Sequence, residues 1–251
     1  MKYNYSDIEK SFHSKEPWIN IFIFRFLTLP LTYFLVNYTN ITPNVITLSS
    51  AIFGIFAAYF YATNLILYGV ISYLLSYLMD AIDGKIARIK NIKTNYGSWL
   101  DIFVDRFNFV IITISLSCSF LIEINIYFAI IAPSLLIGLF LIGFESRNNI
   151  QADKIKRYIK DKNYKYMHAW SLTSDNNDNK DYKNTSHFLI KYIKWTSKKQ
   201  LISSPISLPE ILFFLFVISP LMDIFEFSVI GMIILLLLRL LKQQLYWMIR
   251  K

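Results

Sequence analysis

The sequence predicts an all-α integral membrane protein, a bundle of six transmembrane helices preceded by an N-terminal amphipathic helix lying in the membrane interface. Three observations lead there. Of the 251 residues, 55% are hydrophobic, and they gather into runs of about 20, the length that crosses ~30 Å of hydrocarbon. Aromatic residues make up 17%, with Tyr and Trp frequent near the ends of those runs, as in interfacial belts. Finally, the basic residues are distributed unevenly among the connections between runs.

Residues 17–37 come first. They are apolar, but Arg25 and Pro30 interrupt them, and a crossing here would carry Lys2, Lys10 and Lys15 outward. An interfacial helix with Arg25 snorkelling toward headgroups fits better. Four spans follow, near 45–63, 66–84, 98–120 and 125–145, within a segment 42–146. Residues 147–207 form a basic cytoplasmic insertion. It has an Asn/Asp/Lys-rich, unstructured-looking stretch at 174–184 and candidate short surface helices at 150–167 and 186–200. The last two spans, 208–222 and 226–246, complete one membrane-embedded domain over 1–251. The first of this pair is short, and Pro220 leaves open a bent pairing with the second.

Charge supports the same topology. The connections near 62–66, 121–126 and 222–227 carry acids such as Glu123, Asp223 and Glu226 but no Lys or Arg. Those on the other side carry Lys85, Arg88, Lys90 and Lys93, the dense run from Arg147 to Lys199, and Lys242, Arg250 and Lys251. By the positive-inside rule both termini and these connections face the cytoplasm. The net charge of +9 is then a topology signal with some attraction to anionic lipid, and no nucleic-acid partner is expected. A single Cys118 excludes an internal disulfide and a cysteine zinc site, and His13, His168 and His187 lack metal-ligand spacing.

Acids beside membrane spans are costly, and here four of them group in residues 80 to 105. Asp80 and Asp83 share one face at the end of the second span, and Asp101 and Asp105 share one face at the start of the third. The short basic connection makes these helices antiparallel neighbours, so the two pairs can converge just below the cytoplasmic surface. Packed together, the carboxylates repel, and a hard cation such as Mg²⁺, Mn²⁺ or Ca²⁺ removes that cost. Four acids can hold two ions ~4 Å apart, suited to clamping a transferring phosphoryl group. Gly84, Ala87 and Gly97 keep the neighbouring surface small, and Arg88 offers a planar fork for a pyrophosphate oxygen. Helix-end charges paired with nearby Lys and Arg would explain each acid alone, but not four aimed at one locus.

The run Asp80-x2-Asp83-Gly84-x2-Ala87-Arg88-x8-Gly97-x3-Asp101-x3-Asp105 resembles the complete signature of the CDP-alcohol phosphatidyltransferases. Chance agreement at all its fixed positions is on the order of 10⁻⁸ or less per start point. Thr42-Pro43-Asn44-Val45-Ile46-Thr47 resembles the short motif that opens the first span in that family. The resemblance implies metal ligation by Asp80, Asp83, Asp101 and Asp105, using Mg²⁺ or Mn²⁺ and two ions. It also implies that Asp105 completes the metal site or acts as general base. Gly84, Ala87, Arg88 and Gly97 would border the CDP moiety.

The implied reaction moves a phosphatidyl group from a CDP-activated lipid such as CDP-diacylglycerol to the hydroxyl of a polar alcohol, with CMP leaving. The acceptor would be of the inositol, inositol phosphate or glycerol phosphate type, and a phosphorylated one calls for cations, for which Arg147, Arg157 and Arg239 are candidates. The family also makes a homodimer an expectation. Two other readings stand beside this one. A soluble CDP-alcohol could donate to a lipid acceptor, as in aminoalcohol-type enzymes, or the acids could form the transport site of a cation carrier.

Overall fold

The computed structural model describes residues 3–10, 16–122, 124–160 and 208–249, and every regular element among them is a helix. A short helix α1 (Tyr5–Lys10) precedes α2 (Asn20–Tyr38), which opens with a π-helical turn over Asn20–Phe24. Then come α3 (Pro43–Ala62), α4 (Ile66–Ile89), α5 (Asn95–Leu121) and the long α6 (Ile126–Lys160). The chain ends with α7 (Leu208–Leu221), broken by a π-helical turn at Phe214–Ile218, and α8 (Phe225–Ile249).

Local sequence explains the boundaries. Pro43 occupies the first turn of α3, where its missing N–H costs nothing. Thr94 caps α5, its Oγ1 accepting from the Gly97 N–H at 2.9 Å. Asn125 does the same for α6, accepting from Tyr127 N–H at 2.8 Å. Three tight hairpins join α3 to α4, α4 to α5 and α7 to α8. Each turns on a residue in the left-handed region, Asn64 (φ 58°), Asn91 (φ 54°) and Asp223 (φ 56°). In each, the next N–H reaches back five residues: Leu65 to Phe60, Ile92 to Ala87, Ile224 to Ser219, at 2.9, 3.1 and 3.0 Å. That closure satisfies orphan carbonyls at the helix end, and Asn and Asp tolerate the backbone it needs.

The helices are those of an integral membrane protein. Pro43–Ala62, Ile66–Ile89, Asn95–Leu121 and Ile126–Gly143 are long and apolar enough to cross a bilayer, matching the four expected spans of 42–146. So is Asn20–Tyr38, by length and composition. The 25 residues of α8 would reach across as well. In contrast, α7 has about 14 residues, roughly 21 Å of helix, which is short of the hydrocarbon thickness. One expectation is corrected. The span at 125–145 and the separate surface helix expected at 150–167 run as one helix to Lys160, with no Gly or Pro between them, and 161–167 lie outside the described residues. At 35 residues it must project well beyond the membrane. The stretches at 174–184 and 186–200 lie outside the described residues.

Helix α3 packs against both α4 and α5, and α8 lies against α6. Small residues on α3 make this close: Ser50, Gly54, Ala57 and Ala58 are all on its buried face. The central core joins Tyr61, Phe109, Leu116, Phe140, Phe216 and Val229. The Tyr61 hydroxyl donates to the Phe216 carbonyl in the π-helical turn of α7. A second, smaller cluster packs Ile19, Phe24 and Val36 of the α2 region on Leu78, Ile82 and Ile86 of α4. That is the half of α4 that carries the aspartates.

Candidate active site

The hairpin at Asn91 brings the end of α4 beside the start of α5, and three of the four acids converge there. Asp80, Asp101 and Asp105 each offer a carboxylate oxygen, all within 4.8 Å of one another. Asp80 Oδ1 is buried and has no hydrogen-bond partner. An orphaned buried oxygen among converging carboxylates is costly as it stands and is what a hard divalent cation would satisfy. The donor set therefore fits such an ion.

Asp83 is buried next to this trio but is not one of it. Its carboxylate accepts a hydrogen bond from the Thr47 hydroxyl of α3, which also donates to the Pro43 carbonyl at 3.1 Å. So Asp83 is oriented by a residue of the 42–47 motif. Sequence spacing carried no sign of that long-range contact, although the motif itself was visible.

Two cavities open at the acids. The first, of about 210 Å³, is lined by Asp83, Gly84, Ala87, Arg88, Gly97 and Asp101 together with Pro43, Asn44 and Thr47. All four residues expected to border CDP are thus on one wall with two of the acids. A Cβ at Gly97 would meet Asn44 Oδ1 and Thr94 Oγ1 at 3.0 Å, tighter than ordinary contact, whereas one at Gly84 would sit in ordinary contact, 3.4 Å from the Arg88 guanidinium. Lys93, whose charge reads from sequence as a topology signal, also lines this cavity.

The second cavity, of about 260 Å³, takes in Asp80 and Asp105. Its polar lining includes Asn20, Tyr77, Arg106 and Asn108, and Phe109, Phe140, Leu212 and Phe216 supply apolar walls. The Tyr77 hydroxyl donates to Asn20 Oδ1 at 2.5 Å, bringing the start of α2 to its rim. Of the three arginine candidates, the side chains of Arg147 and Arg157 lie outside those the structure describes. Arg239 is half-buried in α8 and is not among the residues lining either cavity. Arg147 and Arg157 ride on the projecting part of α6.

Helices of this kind define an integral membrane protein, and three carboxylates converge between two of them. The model of the family described as CDP-alcohol phosphatidyltransferase matches residues 40–173, and the chain belongs to that family of transferases. It is also 44% identical over 80 residues to a protein of Aquifex aeolicus (strain VF5) described as "Uncharacterized protein". The match covers 32% of this chain and only 40% of that relative's length.

Proposed function

We propose that this protein transfers a phosphatidyl group from a CDP-activated lipid, CDP-diacylglycerol or a close analogue, to the hydroxyl of a polar alcohol, releasing CMP in phospholipid biosynthesis. The observation that carries this reading is the division of the acids between two cavities. Asp83 and Asp101 share the first with Gly84, Ala87, Arg88 and Gly97, whereas Asp80 and Asp105 open onto the second. A displacement at phosphorus has entering and leaving oxygens roughly in line, so the two substrates must approach the acids from opposite sides.

In this reading the first cavity holds the CDP moiety, its small residues admitting the nucleotide and Arg88 and Lys93 facing the diphosphate. The acceptor, of the inositol, inositol phosphate or glycerol phosphate type, enters by the second. Asp105 takes the proton of its hydroxyl as that oxygen bonds to the β-phosphorus. The bond from the β-phosphorus to the bridging oxygen breaks, and CMP leaves with that oxygen and its electron pair. Asp80, Asp101 and Asp105, with Asp83 adjoining, would hold Mg²⁺ or Mn²⁺, as two ions. Such ions would offset the charge that builds on the diphosphate.

The same reading places the acidic centre and both termini at the cytoplasmic face, with α2 lying in the interface at that level. Support comes from the packing of α2 against Leu78, Ile82 and Ile86 in the second half of α4. The test is direct. Purified protein is given Mg²⁺ or Mn²⁺, CDP-diacylglycerol and a panel of alcohols, and CMP is measured. CMP release that depends on both lipid donor and alcohol is the expected result. No CMP with any lipid donor or soluble CDP-alcohol would overturn the proposal, and metal flux without CMP would turn it toward a carrier.

A further inference from the structure

The helices that carry the site are tied together by buried polar side chains that also line the second cavity. Asn108 Nδ2 donates to Ser76 Oγ at 3.2 Å and to the Ser50 carbonyl at 3.4 Å. Ser76 Oγ donates to the same carbonyl at 2.8 Å and lies 3.1 Å from Ser50 Oγ. One residue comes from each of α3, α4 and α5, and all three are buried. Their meeting depends on Gly54, where an added Cβ would stand 2.1 Å from Asn108 Oδ1.

The register of this cluster is informative. Ser50 is one turn beyond Thr47 on α3, Ser76 one turn before Asp80 on α4, and Asn108 one turn beyond Asp105 on α5. Residues three or four apart share a helical face. The hydrogen bonds therefore join the three helices on the faces that present Asp80, Asp105 and the threonine holding Asp83. Carboxylates brought together push their helices apart, and polar groups within spans are costly enough to need a reason.

We propose that Ser50, Ser76 and Asn108 form a clamp that sets the spacing of Asp80 and Asp105, and so act as positioning residues for the cation-binding centre. The inference rests on reading the carboxylates as a metal site. Oxygens held at a fixed separation bind a small, hard ion without first paying to be assembled, and removing the partners that orient ligands typically weakens metal binding 10–100-fold.

The test uses the full-length protein in lipid nanodiscs, titrated with Mn²⁺ and followed by the electron paramagnetic resonance of the free ion, with thermal unfolding measured alongside. Asn108→Ala should raise the Mn²⁺ Kd by about tenfold, and the smaller change Ser76→Ala should move it in the same direction. Because the two act as one unit, the double variant should bind no more weakly than the worse single one. Ser117→Ala lies farther along α5, where the Ser117 hydroxyl donates to the Thr113 carbonyl at 2.7 Å. It should lower the unfolding temperature and leave Kd alone. Lower stability with unchanged Kd in both Asn108→Ala and Ser76→Ala overturns the clamp, as do losses that simply add. Wild-type protein that takes up no Mn²⁺ overturns the metal reading itself.

Discussion

Asp101 and Asp105 stand one helical turn apart on α5 yet open onto different cavities, and that separation gives each a different expected phenotype. Asp105→Asn keeps the shape of the side chain and removes its basicity. It should lower kcat for CMP release by about 10³-fold with little change in the KM for the lipid donor, which the proposed reading places in the first cavity. A variant that releases CMP at the wild-type rate would remove Asp105 from the proton-transfer role. Gly97→Ala acts on the other side. Its methyl meets Asn44 and the capping Thr94 at 3.0 Å, narrowing the first cavity, so on the proposed reading the donor KM should rise several-fold while kcat falls less. The acids, the two glycines, Ala87 and Arg88 were legible in the sequence because their spacing is local to two helices. The Thr47–Asp83 hydrogen bond was not, since it joins positions 36 residues apart through a helix crossing that no periodicity reports.

At the scale of the element, the α4–α5 hairpin fixes how the two acidic pairs meet. Its turn depends on Asn91 at φ 54° and on the Ile92 N–H closing onto the Ala87 carbonyl. A Cβ without a polar side chain is costly there. Asn91→Ala should destabilise the protein by about 1 kcal/mol, and Asn91→Gly should not, as read from unfolding in detergent. If the two variants unfold alike, the turn carries no strain that Asn relieves. Helix identities were largely readable because apolar runs of span length are strong signals. The continuous α6 was not, because polar residues after Gly143 say where the membrane ends and not where the helix ends. Nor did the apolar run of 208–222 announce its π-helical turn, where the Phe216 carbonyl accepts from the Tyr61 hydroxyl of α3.

At the scale of the molecule the open matter is whether α2 crosses the membrane, for its length and composition allow it. The chain before it argues otherwise. Tyr3 N–H donates to Asn37 Oδ1 at 3.1 Å, the Tyr5 and Tyr33 rings stack at 4.4 Å, and Arg25 pairs with Glu9. So residues 3–10 fold back along α2 from its end toward its start, with Asn4, Ser6, Asp7 and Glu9 exposed. Were α2 to cross, those polar groups would lie in hydrocarbon, at roughly 2.5–3.5 kcal/mol for an acid near the centre. In the interface they meet headgroups and water, while Phe22, Phe26 and Phe34, all exposed, meet acyl chains. The two arrangements put Trp18, just before α2 and exposed, on opposite sides of the membrane relative to the α4–α5 turn. With Cys118→Ser removing the native thiol, single cysteines at Trp18, Ile92 and Thr63 report the sides through a membrane-impermeant maleimide applied to intact cells. Thr63→Cys should label at once, and Ile92→Cys and Trp18→Cys only after permeabilisation. Labelling of Trp18→Cys together with Thr63→Cys would show that α2 is a span, with its start on the side away from the carboxylates.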